Sequence, residues 1–166
     1  MRKINILKAI VDLLWIFSMP SVLLIIGFVI SIFFIDLNAL DLHINGVSLH
    51  SDINSKILFA VAALNYLLII AALHFFRKVL HYFLRVKVFE NEVINSLKKI
   101  GNLLTVSGII SLIISSISKI YVAQKIGIEF GLNHHLVIIC FGLFSLILSE
   151  IFKIAKLQKQ ENDLTI

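Results

Sequence analysis

Four long apolar stretches constrain the fold of this chain more than any other feature. They cover roughly residues 9–35, 56–76, 102–123 and 136–155. A helix needs about 20 residues to cross the hydrocarbon core of a bilayer, which is about 30 Å thick. Hydrophobic residues make up 59% of the chain and charged residues 15%, and no other segment is long enough for a separate soluble domain. The sequence therefore predicts an all-α membrane protein with four transmembrane helices, forming a single domain over residues 1–166.

The distribution of basic residues predicts how the spans are oriented. Because the number of spans is even, both termini lie on one side of the membrane. That side also takes the loop over residues 77–100 and carries twelve of the fifteen Lys and Arg residues, namely Arg2, Lys3, Lys8, Arg77, Lys78, Arg85, Lys87, Lys98, Lys99, Lys153, Lys156 and Lys159. Positively charged flanks stay in the cytoplasm, so the sequence predicts a multi-pass protein with cytoplasmic N- and C-termini.

The loop between the first two spans contains a hairpin signal. Asn45-Gly46 lies between alternating apolar and polar residues, and Asn-Gly in this setting favours a tight β-turn. Such a turn would place Ile44 opposite Val47. We therefore predict a small extracytoplasmic β-hairpin that rests on the helix ends or on the second outer loop.

Four histidines lie in or next to the predicted outer loops: His43, His50, His134 and His135. Imidazole binds zinc and copper and titrates at about pH 6.5, so the set is a weak candidate for a metal site or a pH sensor. Ordinary polar loop residues are the preferred interpretation. The sequence accordingly predicts no bound metal and no cofactor.

The predicted cytoplasmic loop contains an amphipathic segment. Val93, Ile94, Leu97 and Ile100 recur at helical spacing, and Asn91 is a suitable N-terminal cap. The pattern predicts a cytoplasmic amphipathic helix between spans two and three. This helix would lie at the membrane surface and lead into span three, or it would present its apolar face to a partner.

Small residues form stripes along spans three and four, and the stripes include Gly101, Gly108, Ser111, Ser115, Gly142 and Ser145. Small side chains let helices approach closely in lipid, so we assign the stripes to helix packing, within the chain or in a homodimer. A polar translocation path is the alternative, weakened because the stripes contain no ionisable group. Asn65, near the middle of span two, is expected to make a buried hydrogen bond between helices.

Two regions of the sequence resemble a known family. The first comprises residues 76–80, 88–93 and 97–101; the second comprises residues 149–157 and the tail that ends in Glu161-Asn162-Asp163-Leu164-Thr165-Ile166. Together they resemble the DUF2975 family of small bacterial four-span membrane proteins. The usual Ser or Thr of that family is Glu90 here, which moves the expected helix cap to Asn91. The resemblance implies a place in the bacterial inner membrane, no assigned activity and a helix-turn-helix regulator as neighbour.

We expect from these observations a non-enzymatic regulatory or sensory protein that binds a cytoplasmic DNA-binding regulator. The candidate partner-binding residues lie on the cytoplasmic loop and the C-terminal tail, and are Val93, Ile94, Leu97, Glu150, Phe152, Leu164 and Ile166. No phosphate-binding loop, nucleophile elbow or zinc-protease motif occurs in the sequence, so catalytic residues are not expected. The alternative is a small transporter or an immunity-type protein against a membrane-active peptide.

Overall fold

The computed structural model of the protein describes residues 2–34, 43–44, 47–48, 53–123 and 133–164. Over these residues the chain forms four helices, α1 (Arg2–Ile32), α2 (Ile53–Leu84), α3 (Asn91–Ala123) and α4 (His134–Leu164). Each helix is long and apolar enough to cross a membrane. The prediction of four helices of transmembrane length is therefore confirmed.

The helices are longer than the predicted spans, and most of the excess lies at one end. α2 continues to Leu84, α3 already begins at Asn91 and α4 reaches Leu164. The 33 residues of α3 extend for about 50 Å at 1.5 Å per residue, well beyond a hydrocarbon core of about 30 Å. The end at which α1 and α3 begin, and α2 and α4 end, carries most of the Lys and Arg residues. We call it the basic end.

The amphipathic segment of the loop is not a separate helix, which corrects the sequence prediction. Residues 91–100 are the first turns of α3, and residues 85–90 connect α2 to α3. The apolar face recurs at helical spacing because it packs against α2 and α4, where Val93, Leu97 and Ile100 are buried. A helix on a membrane surface and a helix on other helices show the same periodicity, so the sequence pattern alone did not distinguish them.

The start of α3 also differs from the expected cap at Asn91. The Glu90 carbonyl oxygen accepts hydrogen bonds from the backbone N–H groups of Val93 and Ile94, at 3.0 and 3.3 Å, so Glu90 occupies the N-cap position. Asn91 Oδ1 instead accepts a hydrogen bond from Lys156 Nζ at 2.6 Å. Asn91 therefore connects α3 to α4 rather than capping its own helix.

Helices that follow one another in the chain pack together, and α1 lies at the edge of the assembly on α2. Arg77 Nε donates a hydrogen bond to Asp12 Oδ1 at 2.5 Å, and the Phe28 ring packs edge-on against Phe59 with centroids 5.3 Å apart. α1 buries only two of its side chains. Most of its other side chains are exposed, as expected for a helix that faces lipid.

Two short strands, β1 (His43–Ile44) and β2 (Val47–Ser48), pair antiparallel. Ile44 lies opposite Val47, which is the register that the Asn-Gly turn predicts, and β2 contacts α2 and α3. The turn residues and the rest of the predicted hairpin lie outside the described residues. The two-sided hairpin and its place outside the membrane therefore stay predictions.

The turn after α2 contains a strained backbone position. Lys87 N donates to Tyr82 O and Val86 N donates to Phe83 O, both at 3.1 Å, which is the Schellman arrangement at a helix C-terminus. Val86 has a φ of 59° and occupies the left-handed position of this motif. Glycine is usual there, because a β-branched side chain crowds the backbone at positive φ.

Val86→Gly is expected to raise the free energy of unfolding by about 1 kcal/mol, because it removes the Cβ atom from the left-handed position. The matched control is Lys87→Gly at the next residue, where φ is not positive and glycine only adds entropy to the unfolded chain. Thermal unfolding of both variants in the same detergent tests the prediction. A loss of stability from Val86→Gly as large as that from Lys87→Gly would contradict it.

Candidate functional site at the basic end

Glycines bring α3 and α4 into backbone contact. A Cβ atom on Gly101 would lie 2.9 Å from the Gly142 carbonyl oxygen, and a Cβ atom on Gly142 would lie 3.0 Å from the Gly101 carbonyl oxygen. A Cβ atom on Gly108 would lie 3.2 Å from the His135 carbonyl oxygen. The structure thus places the three predicted glycines in the interface between α3 and α4, where they serve packing within the chain.

The interface between α3 and α4 repeats every seven residues. Its successive contacts are the hydrogen bond from Ser149 Oγ to the Ile94 carbonyl at 2.9 Å, and the close approaches of Gly142 to Gly101 and of His135 to Gly108. Seven residues make nearly two helical turns, so the contacts recur on the same face of each helix. This pairing holds α3 and α4 in one register from the basic end to the start of α4.

The polar residues of the predicted stripes have distinct roles. Asn65 Nδ2 donates to Ser111 Oγ at 2.7 Å and to the Ser107 carbonyl at 3.1 Å, so Asn65 links α2 to α3 as predicted. Ser115 lines a cavity between α2, α3 and α4. Ser145 Oγ donates to a backbone carbonyl of its own helix at 2.9 Å, and its hydroxyl therefore does not connect two helices.

The basic end has its own apolar core, which is formed by three helices. Its buried residues are Val79 of α2 and Val93, Leu97 and Ile100 of α3, with Leu148 and Phe152 of α4 packed against them. The Phe152 ring packs edge-on against Phe83 at 6.0 Å and against Phe89 at 6.1 Å between centroids. This core joins α2, α3 and α4, and its buried residues on α2 and α3 lie outside the predicted spans.

Four of the predicted partner-binding residues belong to this core or its edge. Val93 is 0% exposed, Leu97 is 5% exposed and Ile94 is 9% exposed, and Phe152 packs against two phenylalanines. Val93 and Leu97 lie inside this core and present no surface to a partner, whereas Ile94 also lines a groove described below and Phe152 is half-buried. A role of these residues in partner binding stays a prediction. Glu150 is exposed and remains a candidate.

The remaining tail residues are only partly described. α4 extends to Leu164, which is farther than the sequence suggested. The side chain of Leu164 and the whole of Ile166 lie outside the described residues. Their role in partner binding therefore stays a prediction.

A polar groove with a volume of about 710 Å³ runs between α3 and α4 at the basic end. Part of its lining is apolar and includes Ile94 and Leu146. The polar and charged residues that line it are Asn91, Asn95, Lys98, Asn102, Ser149, Glu150, Lys153, Lys156 and Gln160. Three ammonium groups and one carboxylate give this groove a net charge of +2. We call it the basic groove.

Charged contacts surround the basic groove without neutralising it. Lys78 Nζ and Glu92 Oε2 form an exposed ion pair at 2.5 Å, and Lys99 Nζ lies 5.0 Å from the centroid of the Phe75 ring. Exposed ion pairs contribute little to stability, because water and salt screen the two charges. Among the described residues no ion pair engages Lys98 or Lys153, so both charges are available to a ligand.

The basic groove is not among the sites that the sequence predicts. The signal that could have indicated its α3 wall is the helical spacing of Asn91, Asn95, Lys98 and Asn102, which marks a polar face beside the apolar one. The α4 wall follows a similar pattern. The sequence does not show that the two faces adjoin, because that depends on the register between α3 and α4.

The opposite end of the helices carries two of the predicted histidines. His134 and His135 begin α4, and their ring centroids are 3.6 Å apart. The side chain of His43 and the whole of His50 lie outside the described residues. Within the described ranges no three His, Cys, Asp or Glu residues gather in a group that could hold a metal ion. The four-histidine site gains no support and stays a weak hypothesis.

These features fit a helical multi-pass membrane protein with a closely packed α3–α4 pair and a basic groove at one end. The chain belongs to the DUF2975 family, which is described as a protein of unknown function and whose model matches residues 9–166. The match covers nearly the whole chain, as the resemblance predicted. No curated protein and no solved structure matches the chain.

Proposed function

We propose that this is a non-enzymatic regulatory membrane protein whose basic end binds a soluble partner in the cytoplasm. The observation that carries the proposal is the basic groove, which has a net positive charge and extends to Asn91 and Gln160, beyond the predicted spans. A soluble protein can reach this position without entering lipid. The positive-inside rule supports a cytoplasmic location for this end.

The chemistry of the basic groove favours an acidic segment of the partner. Lys98 and Lys153 supply charges that are not engaged in ion pairs within the described chain, and the side-chain amides of Asn95 and Asn102 supply further hydrogen-bond donors. Leu146 adds an apolar contact. Complementary charge speeds association and selects the partner more than it adds affinity, which suits a reversible regulatory complex.

The partner class that we propose is a helix-turn-helix transcription regulator, as the family resemblance implies. Binding at the membrane would keep such a regulator away from DNA. The outer loops would sense a ligand or envelope stress and change the affinity of the basic end. In this proposal the acidic segment that binds in the basic groove belongs to the regulator. The DNA-binding surface of the regulator stays outside the groove.

Replacement of Lys98, Lys153 and Lys156 together by glutamine is expected to weaken partner binding about tenfold or more, because three favourable charges are removed from one groove. The matched control replaces Arg2, Lys3 and Lys8 by glutamine, which removes three charges from α1 at the same end. Affinity purification from native membranes with mass spectrometry compares the recovery of helix-turn-helix proteins by the two variants. Binding constants measured in nanodiscs then quantify the loss.

Comparison of the groove variant with the α1 control shows whether partner binding depends on the basic groove or on charge in general. Loss of the regulator from the groove variant alone supports the proposal. An equal loss from both variants would indicate a general effect of charge rather than a site, and retention by the groove variant would contradict the proposal.

A small transporter is the second candidate, because a polar cavity lies around Asn65 between three helices. On the side of this cavity that faces the basic end, Gly101 and Gly142 bring the backbones of α3 and α4 together. Flux of small solutes into vesicles that contain the protein separates this candidate from the first. Protection of cells from a membrane-active peptide would instead favour the immunity-type alternative.

A further inference from the structure

A cavity of about 140 Å³, lined mainly by apolar surface with several polar side chains, lies between α2, α3 and α4, toward the end opposite the basic end. It extends from Asn65, near the middle of the predicted second span, to the start of α4 at His134. Its polar lining residues are Asn65, Tyr66, Ser111, Ser115, His134 and His135. A cluster of polar side chains between membrane-length helices indicates a functional role, because polar groups inside a bilayer are costly.

The buried amide of Asn65 has one hydrogen-bonding atom without a partner among the described residues. Asn65 is 6% exposed, and its Nδ2 donates to Ser111 Oγ and to the Ser107 carbonyl. Its Oδ1 finds no hydrogen-bond donor among the described residues. A buried acceptor without a partner costs about 1–3 kcal/mol, so a molecule in the cavity that donates a hydrogen bond to Oδ1 would be bound favourably.

The lining also indicates the charge and size of that molecule. None of the lining residues is Asp, Glu, Lys or Arg, and a fully charged ligand would lose its hydration without gaining an opposite charge. The volume of about 140 Å³ is close to that of a cavity of about 150 Å³ that holds benzene, which has six heavy atoms. The ligand is therefore neutral, small and able both to donate and to accept hydrogen bonds.

We propose that this cavity is a binding site for a small neutral hydrogen-bonding molecule that enters through water from the His134 end. Asn65 Oδ1 accepts a hydrogen bond from the ligand. The hydroxyl groups of Ser111, Ser115 and Tyr66 supply further donors and acceptors in the lining. The site lies apart from the basic groove, so it stands whether or not the basic end binds a regulator.

Access from water is tested by cysteine labelling. The only native cysteine, Cys140, is replaced by serine, and Ser115→Cys is compared with Ser116→Cys. Ser115 lines the cavity, whereas Ser116 is exposed on the outer surface of the same turn, its hydroxyl bonded to the Leu112 carbonyl at 2.9 Å. A small water-soluble methanethiosulfonate is expected to modify Ser115→Cys about tenfold faster, because a thiol in apolar surroundings is poorly ionised. Equal rates at the two positions would overturn the proposal.

Ligand binding is tested with glycerol, a neutral molecule of six heavy atoms that matches the size and chemistry of the cavity. Glycerol is expected to slow the labelling of Ser115→Cys, whereas sucrose at equal osmolality is too large to enter and leaves the rate unchanged. In an Asn65→Leu background the protection by glycerol should disappear, and labelling at Ser116→Cys reports that this variant is still folded in the membrane. Labelling of Ser115→Cys that glycerol does not slow more than sucrose overturns the ligand site.

Discussion

Gly142→Ala is expected to lower the free energy of unfolding by about 2–3 kcal/mol, because an added methyl group has no room between α3 and α4. The new Cβ atom would overlap Thr105 Oγ1 and would lie 2.7 Å from the Thr105 backbone nitrogen and 3.0 Å from the Gly101 carbonyl oxygen. Two of these neighbours are backbone atoms, which cannot move without shifting a helix. The helices would have to separate, and the hydrogen bond from Ser149 to Ile94 would be strained with them.

Gly27→Ala is the matched control for this prediction. Gly27 is also in the middle of a transmembrane-length helix, but nothing lies within 4 Å of the position where its Cβ would be. Alanine there is expected to be neutral or to stabilise by up to about 1 kcal/mol, because it favours the helix over glycine. Unfolding by sodium dodecyl sulfate in mixed micelles compares the two variants. If both substitutions left stability unchanged, the close approach of α3 and α4 would be wrong.

Leu97→Ala is expected to destabilise the protein by about 3 kcal/mol, because it opens a cavity in the apolar core of the basic end. Leu97 is 5% exposed and packs in one cluster with Val79, Val93 and Ile100. The cluster lies beyond the predicted spans, so water rather than lipid is the alternative environment of these side chains. The hydrophobic effect therefore contributes fully to their burial, which it does not do between helices inside a bilayer.

Leu157→Ala is the control for this second prediction. Leu157 lies at the same end, on α4, but is 51% exposed, so its truncation should change stability by less than about 0.5 kcal/mol. Hydrogen exchange of the α2–α3 connection, together with unfolding in micelles, measures both variants. A stable Leu97→Ala variant that had lost a partner would restore the idea that this side chain forms a docking surface.

The two predictions concern different forces in one pair of helices. Near Gly142, α3 and α4 are held by close packing that lipid does not drive, whereas near Leu97 they are held with α2 by the burial of apolar area from water. The basic groove runs along the same two helices, from Asn102 and Leu146 to Asn91 and Gln160, and so lies beside both regions. A partner that binds in it would therefore contact a part of the molecule that is fixed from both sides.

Several elements could be predicted from the residues alone. The three glycines were assigned to packing because small residues recur on one face of spans three and four, and Asn65 was expected to bond between helices because a buried amide in lipid needs a partner. Both inferences follow from the periodicity of a helix and from lipid as its surroundings. Ser145 Oγ bonds to the backbone of its own helix, as a serine in a helix can do, so the assignment of Ser145 to helix packing stays a prediction.

Other features depended on distant parts of the chain. The face with Val93 and Leu97 was visible in the sequence, but its cover by Phe152 of α4 and Val79 of α2 was not. For that reason the segment was assigned to a separate helix and to a partner surface. The left-handed turn at Val86 gives no sequence signal, because valine is an unusual residue for that position.

The sequence by itself determined that the chain has four membrane-length helices, that its charge lies at one end and that glycines allow α3 and α4 to approach. These properties depend on contiguous residues and on the surrounding lipid. A helix that crosses a bilayer needs about 20 apolar residues, and its backbone polar groups must form hydrogen bonds within the helix. Only the tertiary structure decided which faces meet, and with them the basic groove, the core at the basic end and the cavity at Asn65. Helical periodicity shows which side of a helix is apolar or small, but the partner of that side is chosen by packing among segments far apart in the chain.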